Sequence, residues 1–159
     1  MKQKILIIFF VFSFVAAFAS CDKENDSANN SNTENTDNTN ETMNAKIRIK
    51  IGSSTFNTTL SNNATATEFK AMLPMTINMS DLNSNEKFYD FANALTTNAS
   101  NSSTIQTGDL MLYGNRTLVL FYKTFSTSYS YTRLGRIDDT TRLTEALGNG
   151  NVSITFELQ

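Results

Sequence analysis

Hydrophobic and polar residues alternate along several short stretches of residues 45–159, which is the pattern of half-buried β-strands. The clearest stretch is "KIRIKI" at 46–51, where three isoleucines alternate with basic residues. The alternation resumes at 56–60 after a glycine turn and predicts a β-hairpin. Two apolar runs around 114–115 predict a second hairpin, and 151–158 predicts a last strand.

Three other segments have the spacing of helices. Residues Thr65 to Glu68 match a capping box, and Pro74 would end the helix that it starts. Apolar residues recur at helical spacing in 86–95, and leucines stand one turn apart in 139–147. A chain with many strands and two or three short helices predicts a mainly β domain, either a compact barrel or a sandwich.

The first twenty residues are organised as an export signal. Two lysines precede an apolar run at 5–18, and small residues lead to Cys21, the only cysteine. The alternative is a transmembrane helix, but a span needs about 20 apolar residues and this run is shorter. The box Phe18-Ala19-Ser20-Cys21 resembles a bacterial lipoprotein signal, with Phe in place of the usual Leu. We therefore predict a lipoprotein signal peptide at 1–20 and a diacylated Cys21, rather than a stray cysteine near a cleavage site.

Residues 21–44 are predicted to be a disordered acidic tether. The segment is rich in Asn and Thr, and six carboxylates against one lysine leave little apolar surface to bury. Its charged start resembles the signals that send some lipoproteins to the cell surface. Asp26-Ser27-Ala28 matches a short bacterial O-glycosylation sequon, which makes Ser27 a candidate glycosylation site. We expect the protein to be exported and held at the outer membrane, on its periplasmic or cell-surface side.

Charge and composition exclude several kinds of function for residues 45–159. Ten Lys and Arg residues nearly balance nine Asp and Glu residues, and no basic stripe with interleaved aromatics indicates a nucleic-acid partner. The sequence contains no histidine, and lipidation would consume its one thiol. Catalysis by a Cys–His or Ser–His–Asp arrangement and a His- or Cys-ligated metal site are therefore excluded, and no cofactor is predicted.

Five segments resemble, in order and spacing, the bacterial cyclophilin-like fold domains. The resemblance runs from about residue 46 to 158, and the segments read "IRIKIGSSTFNTTLSNNATATEFKAMLP", "GDLMLY", "LVLFY", "YTRLGRIDD" and "LGNGNVSITFEL". The resemblance implies a closed eight-stranded barrel with helices over its ends, in a family whose members mostly have no known activity. True cyclophilins isomerise X-Pro bonds with a strand arginine, but the corresponding stretch "NASNSSTIQT" contains none.

An aromatic- and arginine-rich part of the predicted domain supplies candidate ligand contacts. These are Tyr113, Arg116, Tyr122, Tyr129, Tyr131 and Arg133. The loop 96–107 could form a rim beside them. In the structural alternative the tyrosines cover the end of the core, and Arg133 caps backbone carbonyls or pairs with Asp138 and Asp139.

These patterns favour a membrane-anchored envelope lipoprotein with a non-catalytic binding domain. Its expected partners are the bilayer, through acylated Cys21, and an envelope protein, an extended peptide or a glycan. One alternative is a weak peptidyl-prolyl isomerase or another enzyme. A second is a structural surface module without a defined pocket.

Overall fold

The computed structural model describes residues 44–159. The predicted signal peptide at 1–20, the lipidation of Cys21, the glycosylation of Ser27 and nearly all of the tether at 21–44 lie outside these residues. No helix between Asn44 and Gln159 is long and apolar enough to cross a membrane.

Ten strands and two helices make up the described part of the chain. The strands are β1 (Lys46–Ile51), β2 (Ser54–Leu60), β3 (Met75–Leu82), β4 (Glu86–Asp90), β5 (Thr104–Ile105), β6 (Asp109–Tyr113), β7 (Thr117–Phe121), β8 (Phe125–Ser126), β9 (Tyr131–Ile137) and β10 (Val152–Leu158). The helices are α1 (Ala64–Ala71) and α2 (Leu143–Leu147). Eight strands close an antiparallel barrel in the order β1-β10-β3-β4-β7-β6-β9-β2, while β5 and β8 pair separately. The predicted mainly β, closed eight-stranded barrel is confirmed.

The alternation in β1 sets the inner face of the barrel. Ile47, Ile49 and Ile51 are buried in the core, while the basic residues between them face outward. Ile49 lies opposite Phe56 of β2 on one side and Phe156 of β10 on the other. A one-residue shift of this register would bring the charged side chains inside, so the hydrophobic pattern specifies the pairing.

Strands β6 and β7 are buried on both faces. Four leucines point into the barrel core: Leu110, Leu112, Leu118 and Leu120. The side chains between them join a second hydrophobic group on the outside of the sheet, which we call the outer cluster: Ile105, Met111, Val119, Phe121 and Tyr131, with Phe88 and Phe125 packed against it. The outer cluster gives this face of the barrel an apolar surface beneath the β5–β8 ribbon.

The predicted helix at 86–95 is wrong. Its first half is strand β4, which pairs with β3 and β7, and no helix follows it. Lys87 and Tyr89 face the barrel interior, and Phe88 between them joins the outer cluster. The alternation of apolar and polar residues that predicts a strand is absent from β4, because the charged Lys87 occupies an inward position.

The other two predicted helices are present as α1 and α2, but their boundaries differ from the predicted ones. Helix α1 begins after Asn63, whose side chain accepts a hydrogen bond from Ala66 N at 2.8 Å, so the N-cap is not Thr65. Asparagine at this position satisfies one of the free N–H groups of the first turn. Helix α2 has only five residues because Arg142, just before it, adopts a left-handed conformation with φ of 66°.

Candidate functional site

A cleft of about 540 Å³ opens on the outer face of the barrel, beside the outer cluster. Phe88 of β4 and Val119 of β7 form part of its surface on the sheet. Residues 125–129 border it on one side, and the turn between β3 and β4 borders it on another. Three tyrosines and two carboxylates also line it, and we call it the tyrosine cleft.

The tyrosines come together because of strand register. Tyr113 at the end of β6 lies opposite Tyr131 at the start of β9, and their ring centroids are 5.5 Å apart with planes inclined at 50°. Tyr129, two residues before Tyr131, meets Tyr113 edge to face at 6.0 Å. Tyr129 and Tyr113 are 61% and 44% exposed, whereas Tyr131 is buried. Two large aromatic side chains are thus exposed side by side over a buried third.

The loop 96–107 supports the wall of the cleft from behind. Ser100 and Tyr131 exchange two backbone hydrogen bonds, and Ile105 of β5 pairs with Phe125 of β8. Ile105 is fully buried in the outer cluster. These contacts hold residues 125–131 against the barrel, so the exposed Tyr129 projects from a segment that is anchored at each end, and Tyr113 projects from the end of β6.

Glu86 and Asp90, at the two ends of β4, are the carboxylates of the tyrosine cleft. Glu86 is partly buried, and the loss of hydration raises the pKa of its carboxyl group. Burial raises the pKa of the Tyr131 phenol to about 12, and the Glu86 charge adds to the rise. Tyr131 therefore keeps its proton at neutral pH. Asp90 accepts a hydrogen bond from Thr117 Oγ1 at 2.6 Å.

Neither candidate arginine lines the tyrosine cleft. Arg133 Nη1 lies 2.9 Å from the Asp109 carboxylate, which is fully buried and also accepts from Gln106 N. The alternative that paired Arg133 with Asp138 or Asp139 is wrong. Asp109 occupies the outward side of β6 near Arg133, whereas Asp138 bonds Lys46 and Thr59.

Arg116 is exposed in the β6–β7 turn, where its backbone carbonyl accepts a hydrogen bond from Phe91 N. Its position gives it no part in the tyrosine cleft. The two arginines, predicted together with the tyrosines, thus do not share the cleft with them.

Tyr122 belongs to a different, buried group. Its hydroxyl donates to Asp81 Oδ2 at 2.6 Å, and the same oxygen accepts from Lys87 Nζ at 2.6 Å. Lys87 is fully buried and also donates to the carbonyl oxygens of Gly148 and Gly150. Every donor of the ammonium group is used, which indicates that this cluster closes one end of the barrel rather than binding a ligand.

The sequence patterns do not identify Glu86, because the spacing of apolar residues in 86–95 predicts a helix. The signal that would have found it is the run "EKFYD", which alternates if Lys87 is accepted as an inward residue. Asp109 was also missed as the partner of Arg133, although it follows a glycine at the start of a strongly apolar strand. Both residues are charged positions within strands, and a search for apolar alternation alone does not identify them.

A second cleft of about 490 Å³ lies between the start of β2 and residues 138–142, and it is lined mainly by polar side chains. Its carboxylates already have partners, since Asp138 is bonded to Lys46 and Asp139 accepts from Thr141 N. Across residues 44–159, no group of three or more His, Cys, Asp and Glu side chains is placed to hold a metal ion. The tyrosine cleft remains the better candidate site.

The tyrosine cleft combines polar groups with an apolar surface. It offers phenol hydroxyls, aromatic faces, hydroxyl side chains and carboxylates around an apolar surface. Clefts of roughly 300–1,000 Å³ with a few polar groups are typical of small-ligand sites. No Lys or Arg is among the described residues that line the cleft.

Comparison with known proteins supports the family assignment and is silent on activity. A family model described as the Cyclophilin-like family matches residues 49–157. No curated protein matches the chain. The solution structure of a hypothetical protein from Archaeoglobus fulgidus is similar, with a TM-score of 0.55 at 15% identity, and the match covers 74% of this chain and 96% of the archaeal one. That likeness extends to the fold alone. Because the family model spans nearly the whole barrel, the chain belongs to the Cyclophilin-like family.

Proposed function

We propose that this protein is a lipoprotein of the cell envelope whose barrel binds a ligand in the tyrosine cleft and carries out no chemistry of its own. Acylated Cys21 anchors the chain, and the acidic segment 21–44 holds the barrel away from the bilayer. If this segment is disordered, as its composition predicts, its r.m.s. reach would be about 25–30 Å, which is enough to clear the headgroups.

The observation that carries the proposal is the exposed pair Tyr113 and Tyr129 beside a cleft of small-molecule size. Large aromatic side chains are usually covered, and exposed ones in a concave site with polar neighbours are characteristic of binding surfaces. The cleft can accept a small molecule, a side chain of an extended peptide or the end of a glycan. Expected sources of such ligands are other components of the envelope.

The position of Arg133 argues against a proline isomerase. Its guanidinium is held at 2.9 Å by the buried Asp109 carboxylate and does not line the tyrosine cleft. An arginine that stabilises a rotating amide must direct its donors at the substrate. Here one donor is already occupied by a negative charge inside the protein.

We expect no proline isomerase activity from the full chain. In an assay with a panel of X-Pro peptides and an authentic cyclophilin as positive control, the rate should equal that of the uncatalysed reaction. The Arg133→Ala and Arg116→Ala variants should give the same rate. Acceleration by the natural chain that disappears in either variant would show that the protein is an enzyme and overturn the binding proposal.

The anchoring part of the proposal predicts that Cys21 is lipidated. When the full chain is expressed in a bacterium that exports lipoproteins, labelled palmitate should appear in the protein and should be absent from Cys21→Ser. Ser20→Ala is the matched control, because a small residue remains at that position of the lipoprotein box, and its label should persist. Natural protein without label, or label that survives Cys21→Ser, would contradict the anchor.

A further inference from the structure

The charged groups of the tyrosine cleft all have the same sign. Glu86 and Asp90 line it, and none of its described lining residues is Lys or Arg. The rest of residues 45–159 is different, since ten basic residues there nearly balance nine acidic ones. The negative character is therefore specific to the cleft and does not follow from the overall charge of the barrel.

The tyrosine rings add a second feature that attracts cations. The Tyr113 and Tyr131 planes are inclined at 50°, and Tyr113 and Tyr129 are nearly perpendicular at 88°. The three rings are in close contact at different angles, and two of them, Tyr113 and Tyr129, are exposed. An ammonium ion within about 6 Å of such a ring is attracted to its face, and quaternary ammonium groups are recognised in this way by sets of aromatic residues.

Glu86 has no cationic partner among the ion pairs of the described residues. Its partly buried carboxylate loses hydration, and this raises the pKa of the group. A carboxylate that loses water and gains no partner opposes folding at neutral pH. A cation that entered the cleft would supply the missing charge.

We propose that the tyrosine cleft binds a small organic ammonium ion, held by the rings of Tyr113, Tyr129 and Tyr131 and by the carboxylate of Glu86. This inference rests on the proposed binding function and specifies its ligand class. The ammonium charge is drawn to Glu86 and the ring faces, while the alkyl groups contact Phe88 and Val119. An anionic ligand would meet two carboxylates and no positive charge.

The test is a titration of the full chain, in non-ionic detergent, with choline and with 3,3-dimethyl-1-butanol, its uncharged analogue of nearly the same shape. Because the chain contains no tryptophan and three of its five tyrosines line the cleft, a ligand that enters the cleft should change the tyrosine fluorescence. Calorimetry provides an independent measure of affinity. We expect choline to bind about tenfold or more tightly than the alcohol.

Glu86→Gln should remove most of that preference, and its effect should be specific to the charged probe. The matched control is Glu145→Gln, which changes an exposed carboxylate on α2 and should keep the preference of the natural chain. The Glu86→Gln variant should be at least as stable as the natural chain at neutral pH. Burial raises the folded-state pKa of Glu86, so its ionised form opposes folding above that pKa and glutamine removes the opposition.

The outcomes separate this inference from the function on which it depends. Equal affinity for choline and the alcohol, both lost in Tyr129→Ala, would overturn the cation preference and leave the cleft as a binding site for neutral ligands. A preference for choline that persists in Glu86→Gln and Tyr129→Ala would place the cation elsewhere and overturn the inference. If neither probe binds, the inference is wrong, and the binding proposal must then depend on a peptide or glycan ligand.

Discussion

Replacement of Lys87 by alanine is expected to lower the free energy of unfolding by about 3–5 kcal/mol. The Lys87 side chain is fully buried, and its ammonium group donates to Asp81 at 2.6 Å and to the carbonyls of Gly148 and Gly150 at 3.0 and 2.6 Å. It also lies 5.3 Å from the centre of the Tyr122 ring. Alanine removes all four interactions together with a buried aliphatic stem, whose methylene groups are worth about 0.8 kcal/mol each.

Urea unfolding followed by circular dichroism measures this loss, and Lys123→Ala is the matched control. Lys123 is an exposed lysine next to the same Tyr122, and its replacement should change stability by less than about 0.5 kcal/mol. Lys87 connects β4 to the turn before β10, so the loss should affect the whole barrel transition. A Lys87→Ala protein as stable as Lys123→Ala would show that the buried ammonium group does not hold this end of the barrel closed.

Replacement of Gly135 by alanine is expected to cost about 3 kcal/mol, at the upper end for adding a methyl group to a packed site. A Cβ atom at Gly135 would lie 2.6 Å from the Thr59 carbonyl oxygen and 3.1 Å from Leu60 Cα. Both atoms belong to the backbone of β2, which pairs with β9 at this point. The two strands would have to separate where they close the barrel.

Thermal and denaturant unfolding of Gly135→Ala should be compared with Gly114→Ala. A Cβ atom at Gly114 meets nothing within 4 Å, so its replacement suffers only from the positive φ of 57°. That strain is on the order of 1 kcal/mol. A larger loss of stability in Gly114→Ala than in Gly135→Ala would contradict this explanation. It would show that glycine at position 135 is not required by the close approach of β2 and β9.

Strands β1, β6, β7 and β10 were predictable from sequence because their inward residues are apolar. The isoleucines of β1 and the leucines of β6 and β7 alternate as a closed barrel requires, and each lies in the core. The prediction failed at β4, because Lys87 occupies an inward position and is stabilised by carbonyl groups that are 61 and 63 residues away in the sequence. A local hydrophobic pattern cannot predict partners that are so far away in the sequence.

The candidate site was predicted in part. Tyr113, Tyr129 and Tyr131 do line one cleft, since a strand pairing and a two-residue spacing bring them together. Arg133 was grouped with them because it is close in sequence, yet it pairs with Asp109, which is 24 residues earlier. Glu86 comes from a strand that the sequence had assigned to a helix. Residues from neighbouring strands define the cleft, so its composition depends on register, which sequence spacing does not give.

Fluorine NMR of the full chain with fluorotyrosine at all five tyrosine positions tests most directly whether the tyrosine cleft binds an ammonium ion. Tyr113, Tyr129 and Tyr131 line the cleft, while Tyr89 packs against the barrel core and Tyr122 is held by Asp81. Addition of choline should shift the three cleft resonances in a saturable way and leave the other two unchanged. Shifts confined to Tyr89 and Tyr122, or no saturable shift at Tyr113 and Tyr129, would contradict binding of the ammonium ion in the cleft.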